Sequence, residues 1–160
     1  MNMLLSGKVT SGLGRASVFM SQSHYQDQFR KILGATAWPG TLNVHVENKD
    51  LTNYIALRQK AGIDTLDLED EFINKVSKID TSTVDAIRIR GFLREGRSFG
   101  GATAFLAKIS TSESMNISCA ILIPDLTRHV EVIEVIADVF LRETLNLKDG
   151  SIVQLNLIID

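Results

Sequence analysis

The stretch ATAFLAKISTSESMNISCAILI, from Ala102 to Ile123, gives the clearest indication of the fold class. It contains two β-rich runs, Ala102 to Ile109 and Ile117 to Ile123, which are separated by a polar connection at Ser110 to Asn116. β-Branched and aromatic residues favour strands, whereas serine and asparagine are frequent in turns. The stretch therefore predicts two consecutive strands.

Further patterns lie on both sides of this pair. The apolar residues of Val130 to Ala137 fit both the helical and the strand period, but their Val and Ile content favours a strand. A helical period runs from Tyr25 to Leu33, which Gly34 should end, and Leu141 to Leu145 should form one or two helical turns. The remaining predicted strands are Val9 to Ser11, Val18 to Ser21, Thr41 to Val46, Ala86 to Phe92 and Ile152 to Ile158. This pattern predicts a mainly β (α+β) fold, a small β-barrel of about six strands with peripheral helices.

The segment from about Glu47 to Thr83 differs from the rest of the chain. Two polar, amphipathic helices are expected there, from Thr52 to Ala61 and from Leu68 to Ile79, with Asp67 as the N-cap of the second. A segment of this length does not easily build a core of its own. We therefore expect a helical insertion on the surface of a single domain that covers residues 1–160.

Composition excludes several classes of protein. The chain has 17 Lys+Arg against 19 Asp+Glu, and this net charge of −2 argues against nucleic-acid and membrane-surface binding. The sequence has no apolar run of about 18 residues and no room for a signal peptide before Gly7-Lys8, so it predicts a cytoplasmic protein. The single cysteine, Cys119, excludes an intramolecular disulfide and lies in an apolar run that predicts its burial.

Several familiar catalytic patterns are also missing. The three histidines are not at metal-ligand spacing, and the chain has neither a Gly-x-Ser-x-Gly elbow nor a P-loop. The pair Gly12-x-Gly14 does not extend to a dinucleotide fingerprint. Any phosphate handling must therefore use another architecture.

The segment Pro39-Gly40-Thr41-Leu42-Asn43-Val44 carries the most specific local signal. Because side chains alternate along a strand, the Thr41 hydroxyl and the Asn43 amide should project from the same face. Two neutral oxygens suit Mg²⁺ when phosphates supply further ligands. The alternative is a turn that enters a strand whose polar residues simply face solvent.

A series of motifs, in this order along the chain, resembles the CTP-dependent riboflavin kinases of archaea. The series is Ser11-Gly12-Leu13-Gly14, Phe29-x-x-x-Leu33-Gly34, Pro39 to Val44, Gly91-Phe92, Gly96-Arg97-x-Phe99-Gly100, Ile133 to Ala137, Leu141-Arg142-Glu143 and Leu147-Lys148-Asp149-Gly150. The resemblance covers nearly the whole chain outside the segment from about Glu47 to Thr83.

This resemblance implies a cradle-loop β-barrel that transfers the γ-phosphate of CTP to the 5′-hydroxyl of riboflavin, giving FMN and CDP. It implies that Thr41 and Asn43 hold Mg²⁺, and that Thr127 and Glu134 contact the flavin. Glu134 is the carboxylate that we would test first as the base, although a contact to the ribityl chain is the alternative. The segments implied for CTP or CDP are Leu13, Gly14, Arg15, Ala16, Ser17 and Val18, together with Phe140, Leu141, Arg142 and Glu143.

The sequence departs from the family pattern in two places that bear on the choice of nucleotide. The glycine loop continues as Arg15-Ala16-Ser17 in place of smaller and acidic residues, and Phe140 replaces a polar or basic residue. A non-catalytic barrel that binds a nucleotide or a flavin is the alternative function. A DNA-binding regulator is disfavoured by the net charge of −2 and by the lack of a basic stripe.

Overall fold

Strands dominate the structure, a computed structural model that describes residues 3–12, 20–63, 65, 68–112, 116–126 and 130–158. The strands are β1 (Leu4–Thr10), β2 (Leu42–His45), β3 (Ile87–Ile89), β4 (Phe92–Arg94), β5 (Arg97–Phe99), β6 (Ala102–Ser110), β7 (Ile117–Pro124), β8 (Val132–Ile136) and β9 (Ile152–Leu157). The helices are α1 (Ser23–Leu33), α2 (Asn48–Lys60), α3 (Asp70–Ser77) and α4 (Leu141–Thr144). None of the helices in these ranges is long and apolar enough to cross a membrane.

The main sheet closes on itself. Its strand order is β3-β6-β7-β8-β2-β1-β9, and an additional pairing joins β9 back to β6. The first part of β6 pairs with β3 and its last part with β9, so β3 extends a closed barrel of six antiparallel strands. The predicted mainly β barrel with peripheral helices is confirmed.

The barrel interior is filled by alternate residues of its strands. On β2, Leu42 and Val44 point inward and are almost fully buried, whereas Asn43 and His45 point outward. The same alternation buries Ile133 and Val135 of β8. Cys119 of β7 lies in this core as predicted, and burial raises the pKa of its thiol to about 12. This thiol is therefore protonated and inert at neutral pH.

Helix α2 belongs to the packing of the barrel. Tyr54 and Leu57 join the barrel core, while the neighbouring Ile55 and Ala56 pack with Val76 of α3. The helix is therefore buried on both of these sides, which differs from the polar surface helix expected at Thr52 to Ala61. The physical reason is the apolar run from Tyr54 to Leu57, whose side chains point to the barrel on one side of the helix and to α3 on the other.

Helix α1 covers the outside of the barrel through a second apolar cluster that includes Met20, Phe29, Ala120 and Leu122. The helix ends as predicted at Gly34, whose φ of 79° is left-handed and whose N–H donates to Arg30 O at 2.9 Å. Glycine adopts this conformation at little cost.

Two local predictions need correction. The predicted strand from Ala86 to Phe92 ends at Ile89, and Phe92 begins a separate hairpin, β4–β5, that turns at Glu95-Gly96 with positive φ at both residues. The predicted strand from Val18 to Ser21 is not formed at Met20 and Ser21, which lead into α1. The first half of that strand lies outside the described residues, as does the proposed cap Asp67.

Candidate functional site

Thr41 and Asn43 lie on the outward face of the barrel, where β2 begins. The Thr41 hydroxyl donates a hydrogen bond to Asn43 Oδ1 at 3.0 Å, so the two oxygens are side by side as strand alternation predicts. Their role as metal ligands stays a prediction.

Glu134 lies next to this pair on the neighbouring strand. The β-ladder places Asn43 opposite Glu134 on one side and opposite Thr10 on the other. Glu134 Oε1 is 3.5 Å from Thr41 Oγ1. A hydroxyl, an amide oxygen and a carboxylate therefore converge on one patch of the barrel surface.

The glycine turn after β1 reaches the same patch. A Cβ atom built on Gly12 would overlap Asn43 Nδ2, so the Gly12 backbone lies directly against the Asn43 side chain. Only a residue without a side chain allows this approach. Gly12, the last described residue after β1, therefore borders the oxygen cluster.

A larger cavity of about 550 Å³ opens beside the cluster. Its size is within the range of about 300–1,000 Å³ that is typical of small-molecule sites. Thr41, Glu134, Arg97 and Ser98 contribute polar groups to a wall that is otherwise apolar and aromatic. The lining residues that define its character are Met20, Tyr25, Phe29, Phe99, Leu122 and Leu126.

The outer wall of this larger cavity is the β4–β5 hairpin, which packs on α1. Phe92 and Phe99 stack with ring centroids 4.7 Å apart, and Phe92 also meets the rings of His24 at 4.4 Å and Tyr25 at 5.2 Å. Tyr25 Oη donates to Gly100 O at 2.6 Å. These contacts fix the aromatic wall against the helix.

A smaller cavity of about 100 Å³ also has Thr41 in its wall, so this residue lines both cavities. Its wall combines the turn at Trp38-Pro39-Gly40 with the start of α4 at Phe140, Leu141 and Arg142. Trp38 and Phe140 stack at 5.1 Å with nearly parallel rings, and each remains 40% or more exposed. A flat aromatic surface is therefore open to solvent beside the smaller cavity.

A polar network connects α4 to the end of β1. Arg142 Nη2 donates to Asp149 Oδ1 at 2.7 Å and to Thr10 O at 3.3 Å. Ser11 Oγ lies 2.9 and 2.7 Å from the two carboxylate oxygens of Asp149. The hydrogen bonds from Arg142 and from Ser11 hold the pKa of Asp149 below its ordinary value.

The structure thus brings Thr41, Asn43 and Glu134 together and places the segment from Phe140 to Arg142 beside them; Glu143 is in α4 but is not among the residues that line the smaller cavity. The predicted loop residues 13–18 and Thr127 lie outside the described residues.

Sequence reasoning missed two groups. Tyr25, Phe29 and Phe99 were assigned no site role, because only the tertiary fold shows that they share a cavity. Asp149 belongs to a quoted motif, but its partner Ser11 is 138 residues away.

Comparison with known proteins gives consistent matches over most of the chain. The family model for CTP-dependent riboflavin kinases, described as "Domain of unknown function DUF120", matches residues 9–72 and 62–157. A riboflavin kinase of Thermoplasma acidophilum is 34% identical over 149 residues, which is 93% of this chain and 54% of that protein. A riboflavin kinase of Pyrobaculum aerophilum is 35% identical over 156 residues, covering 97% of this chain and 60% of that protein.

This chain spans little more than half the length of these curated relatives. The family match nevertheless includes Gly12, the oxygen cluster and α4, and the last two contribute residues to the walls of the cavities. The chain belongs to the CTP-dependent riboflavin kinase family.

Proposed function

We propose that the protein transfers the γ-phosphate of CTP to the 5′-hydroxyl of riboflavin, giving FMN and CDP. The observation that carries this proposal is the position of the oxygen cluster, because Thr41 lines both cavities and Glu134 lines the larger one. Two substrates bound in the two cavities would meet at this cluster. Family membership and the relatives named riboflavin kinase support the same reaction.

The larger cavity is proposed to bind riboflavin. The isoalloxazine ring is flat and aromatic, and such rings stack on side chains of the kind found in Tyr25, Phe29 and Phe99. The ribityl chain is polar and would extend towards Thr41 and Glu134, where hydroxyl groups find hydrogen-bond partners. Thr127 is proposed as a further flavin contact.

The smaller cavity and its surroundings are proposed to bind CTP. Phe140, Leu141, Arg142 and Glu143 would contact the nucleotide on one side, and residues 13–18, which follow the Gly12 backbone, would contact its phosphates on the other. Successive backbone N–H groups in a glycine turn can bind phosphate oxygens. The preference for CTP over other nucleoside triphosphates is part of this proposal. Arg15 is the residue in this segment whose side chain is most expected to change that preference.

The oxygen cluster fits a divalent cation. Thr41 Oγ1 and Asn43 Oδ1 are neutral oxygen donors 3.0 Å apart, and a carboxylate lies beside them. Hard oxygen donors of this kind suit Mg²⁺. Thr41 and Asn43 are the residues proposed to hold Mg²⁺, which when bound would neutralise negative charge on the nucleotide phosphates.

In the proposed reaction the riboflavin 5′-oxygen forms a bond to the γ-phosphorus. The bond from that phosphorus to the β,γ-bridging oxygen of CTP breaks, and the hydroxyl loses its proton. Phosphoryl transfer depends on positioning and charge stabilisation more than on covalent chemistry. Glu134 is the group proposed to accept this proton or to orient the hydroxyl.

The test is an assay of the purified chain with riboflavin, Mg²⁺ and each of the four nucleoside triphosphates. FMN should form fastest with CTP, and replacement of Mg²⁺ by Mn²⁺ or by chelator measures the metal requirement. If riboflavin or CDP binds but no triphosphate yields FMN, the chain is a non-catalytic binding barrel and the kinase proposal is wrong.

A further inference from the structure

We infer that Asp149 is a positioning residue for the nucleotide site, an inference that rests on the proposed function. The Asp149 carboxylate accepts hydrogen bonds from Ser11 and Arg142, and these three residues are named here the Asp149 clamp. The clamp sets the spacing between two segments that approach the nucleotide from opposite sides.

The first segment is the glycine turn. Ser11 directly precedes Gly12, whose backbone lies against Asn43. Both carboxylate oxygens of Asp149 are within 2.9 Å of Ser11 Oγ, so the clamp fixes the position of Ser11 and of the Gly12 backbone beside it.

The second segment is α4. Arg142 lines the smaller cavity, and its Nη2 atom is held between Asp149 and the Thr10 carbonyl at the end of β1. The guanidinium therefore links α4 to the end of β1 through hydrogen bonds. The Asp149 carboxylate balances part of its positive charge. In this arrangement, Arg142 orients α4 instead of serving as an unpaired cation for phosphate.

The turn that carries Asp149 does not need this carboxylate to keep its shape. Gly150 N donates to Val9 O at 2.8 Å, and Val9 N donates to Ser151 O at the same distance. The Asp149 side chain is 59% exposed, and ion pairs this exposed contribute little to stability. Removing the carboxylate charge should therefore change the relative position of the two segments while the barrel stays folded.

The experiment compares Asp149→Asn, Ser11→Ala, the double variant and the control Asp80→Asn. Asp80 is also an exposed carboxylate with a nearby serine partner, since it accepts a hydrogen bond from Ser82 N, but it lies in the connection between α3 and β3. Measurements are the KM for CTP, the KM for riboflavin, the affinity for CDP by calorimetry, and the melting temperature without ligand.

Asp149→Asn should raise the KM for CTP and the Kd for CDP by on the order of tenfold, since hydrogen bonds to a charged group are lost. The KM for riboflavin should match those of the wild type and of Asp80→Asn, and the melting temperature at neutral pH should fall only slightly, because the ion pair is exposed. The double variant should be no worse than Asp149→Asn alone, because both substitutions break the same clamp. A KM for CTP equal to the wild type would overturn the inference, as would a parallel rise of both KM values with a lower melting temperature.

Calorimetry separates this inference from the proposed reaction. If the wild type binds CDP without making FMN, the kinase proposal fails, and a tenfold weaker binding by Asp149→Asn still supports the clamp. If the wild type binds no CDP, or if Asp149→Asn binds it as tightly as the wild type, the clamp does not position a nucleotide.

Discussion

The two cavities that share Thr41 are held in shape by different forces. The larger cavity is formed by the packing of aromatic rings of α1 and of the β4–β5 hairpin beside the outer face of the barrel. The smaller cavity is bounded by a turn and a short helix. The turn is joined to the barrel by the backbone hydrogen bond from Trp38 N to Ala137 O, and the helix by the burial of Leu141 and by the polar Arg142–Asp149 pair. Substitutions on the two sides should therefore separate riboflavin binding from nucleotide binding, and only the cluster between them should affect both.

The largest effect is expected at that shared cluster. Thr41→Ala combined with Asn43→Ala removes both proposed metal donors, so kcat/KM should fall by about 1,000-fold or more. The matched control is His45→Ala, the next outward position on β2, which contacts Glu131 at 3.4 Å and should keep activity within about twofold. Initial rates of FMN formation and circular dichroism give the two measurements. Retained activity in the double variant would show that the metal is held elsewhere.

A second substitution tests the backbone approach to the cluster. Gly12→Ala places a Cβ atom against Asn43 Nδ2 and should turn this amide away from Thr41. We expect kcat/KM to fall by about 10- to 100-fold, because small displacements in a reacting site are costly. The free energy of unfolding should change little, since the clash is with a side chain that can move.

Gly34→Ala is the opposite case and serves as the control for Gly12→Ala. Gly34 has φ of 79° and open space around it, so a Cβ atom strains the backbone without touching the site. Its free energy of unfolding should fall by about 1 kcal/mol while activity is kept. Equal activity losses in the two glycine variants would contradict the proposed role of the Gly12 contact.

A substitution in the aromatic wall should weaken the binding of riboflavin selectively. Phe99→Ala removes a ring that lines the larger cavity and stacks on Phe92, and such pairs contribute about 0.5–1.5 kcal/mol beyond burial. The KM for riboflavin should rise by about 5- to 20-fold while the KM for CTP stays unchanged. Leu93→Ala, on the same hairpin but 78% exposed, is the matched control. Equal changes in both KM values would show that the two cavities are not independent.

The sequence was sufficient for features that depend on local periodicity. The alternation from Thr41 to Val46 correctly places the Thr41 and Asn43 oxygens together, and Gly34 correctly ends α1. In both cases the signal lies within a few neighbouring residues, where strand geometry and glycine φ preferences decide the structure.

The features that the sequence did not predict depend on distant contacts. The run from Ala86 to Phe92 is predicted as one strand, but β3 ends at Ile89. Gly91 packs so closely against the Phe99 carbonyl that a Cβ atom there would overlap it. The aromatic wall and the Asp149 clamp likewise combine residues that are far apart in the chain, and no local pattern marks such pairs.

The smallest predicted effect concerns the stability of the protein in acid and depends on the hydrogen bonds of the Asp149 clamp. The pKa of Asp149 is lowered in the folded state by Arg142 and Ser11. A group of this kind stabilises the fold above its unfolded pKa, and the contribution is lost as the pH falls through the lower, folded pKa. The free energy of unfolding of the wild type should therefore decline more steeply than that of Asp149→Asn below about pH 4, with Ser11→Ala between them. Denaturant titrations at a series of pH values would measure this, and parallel curves for the three proteins would mean that the clamp does not form in solution.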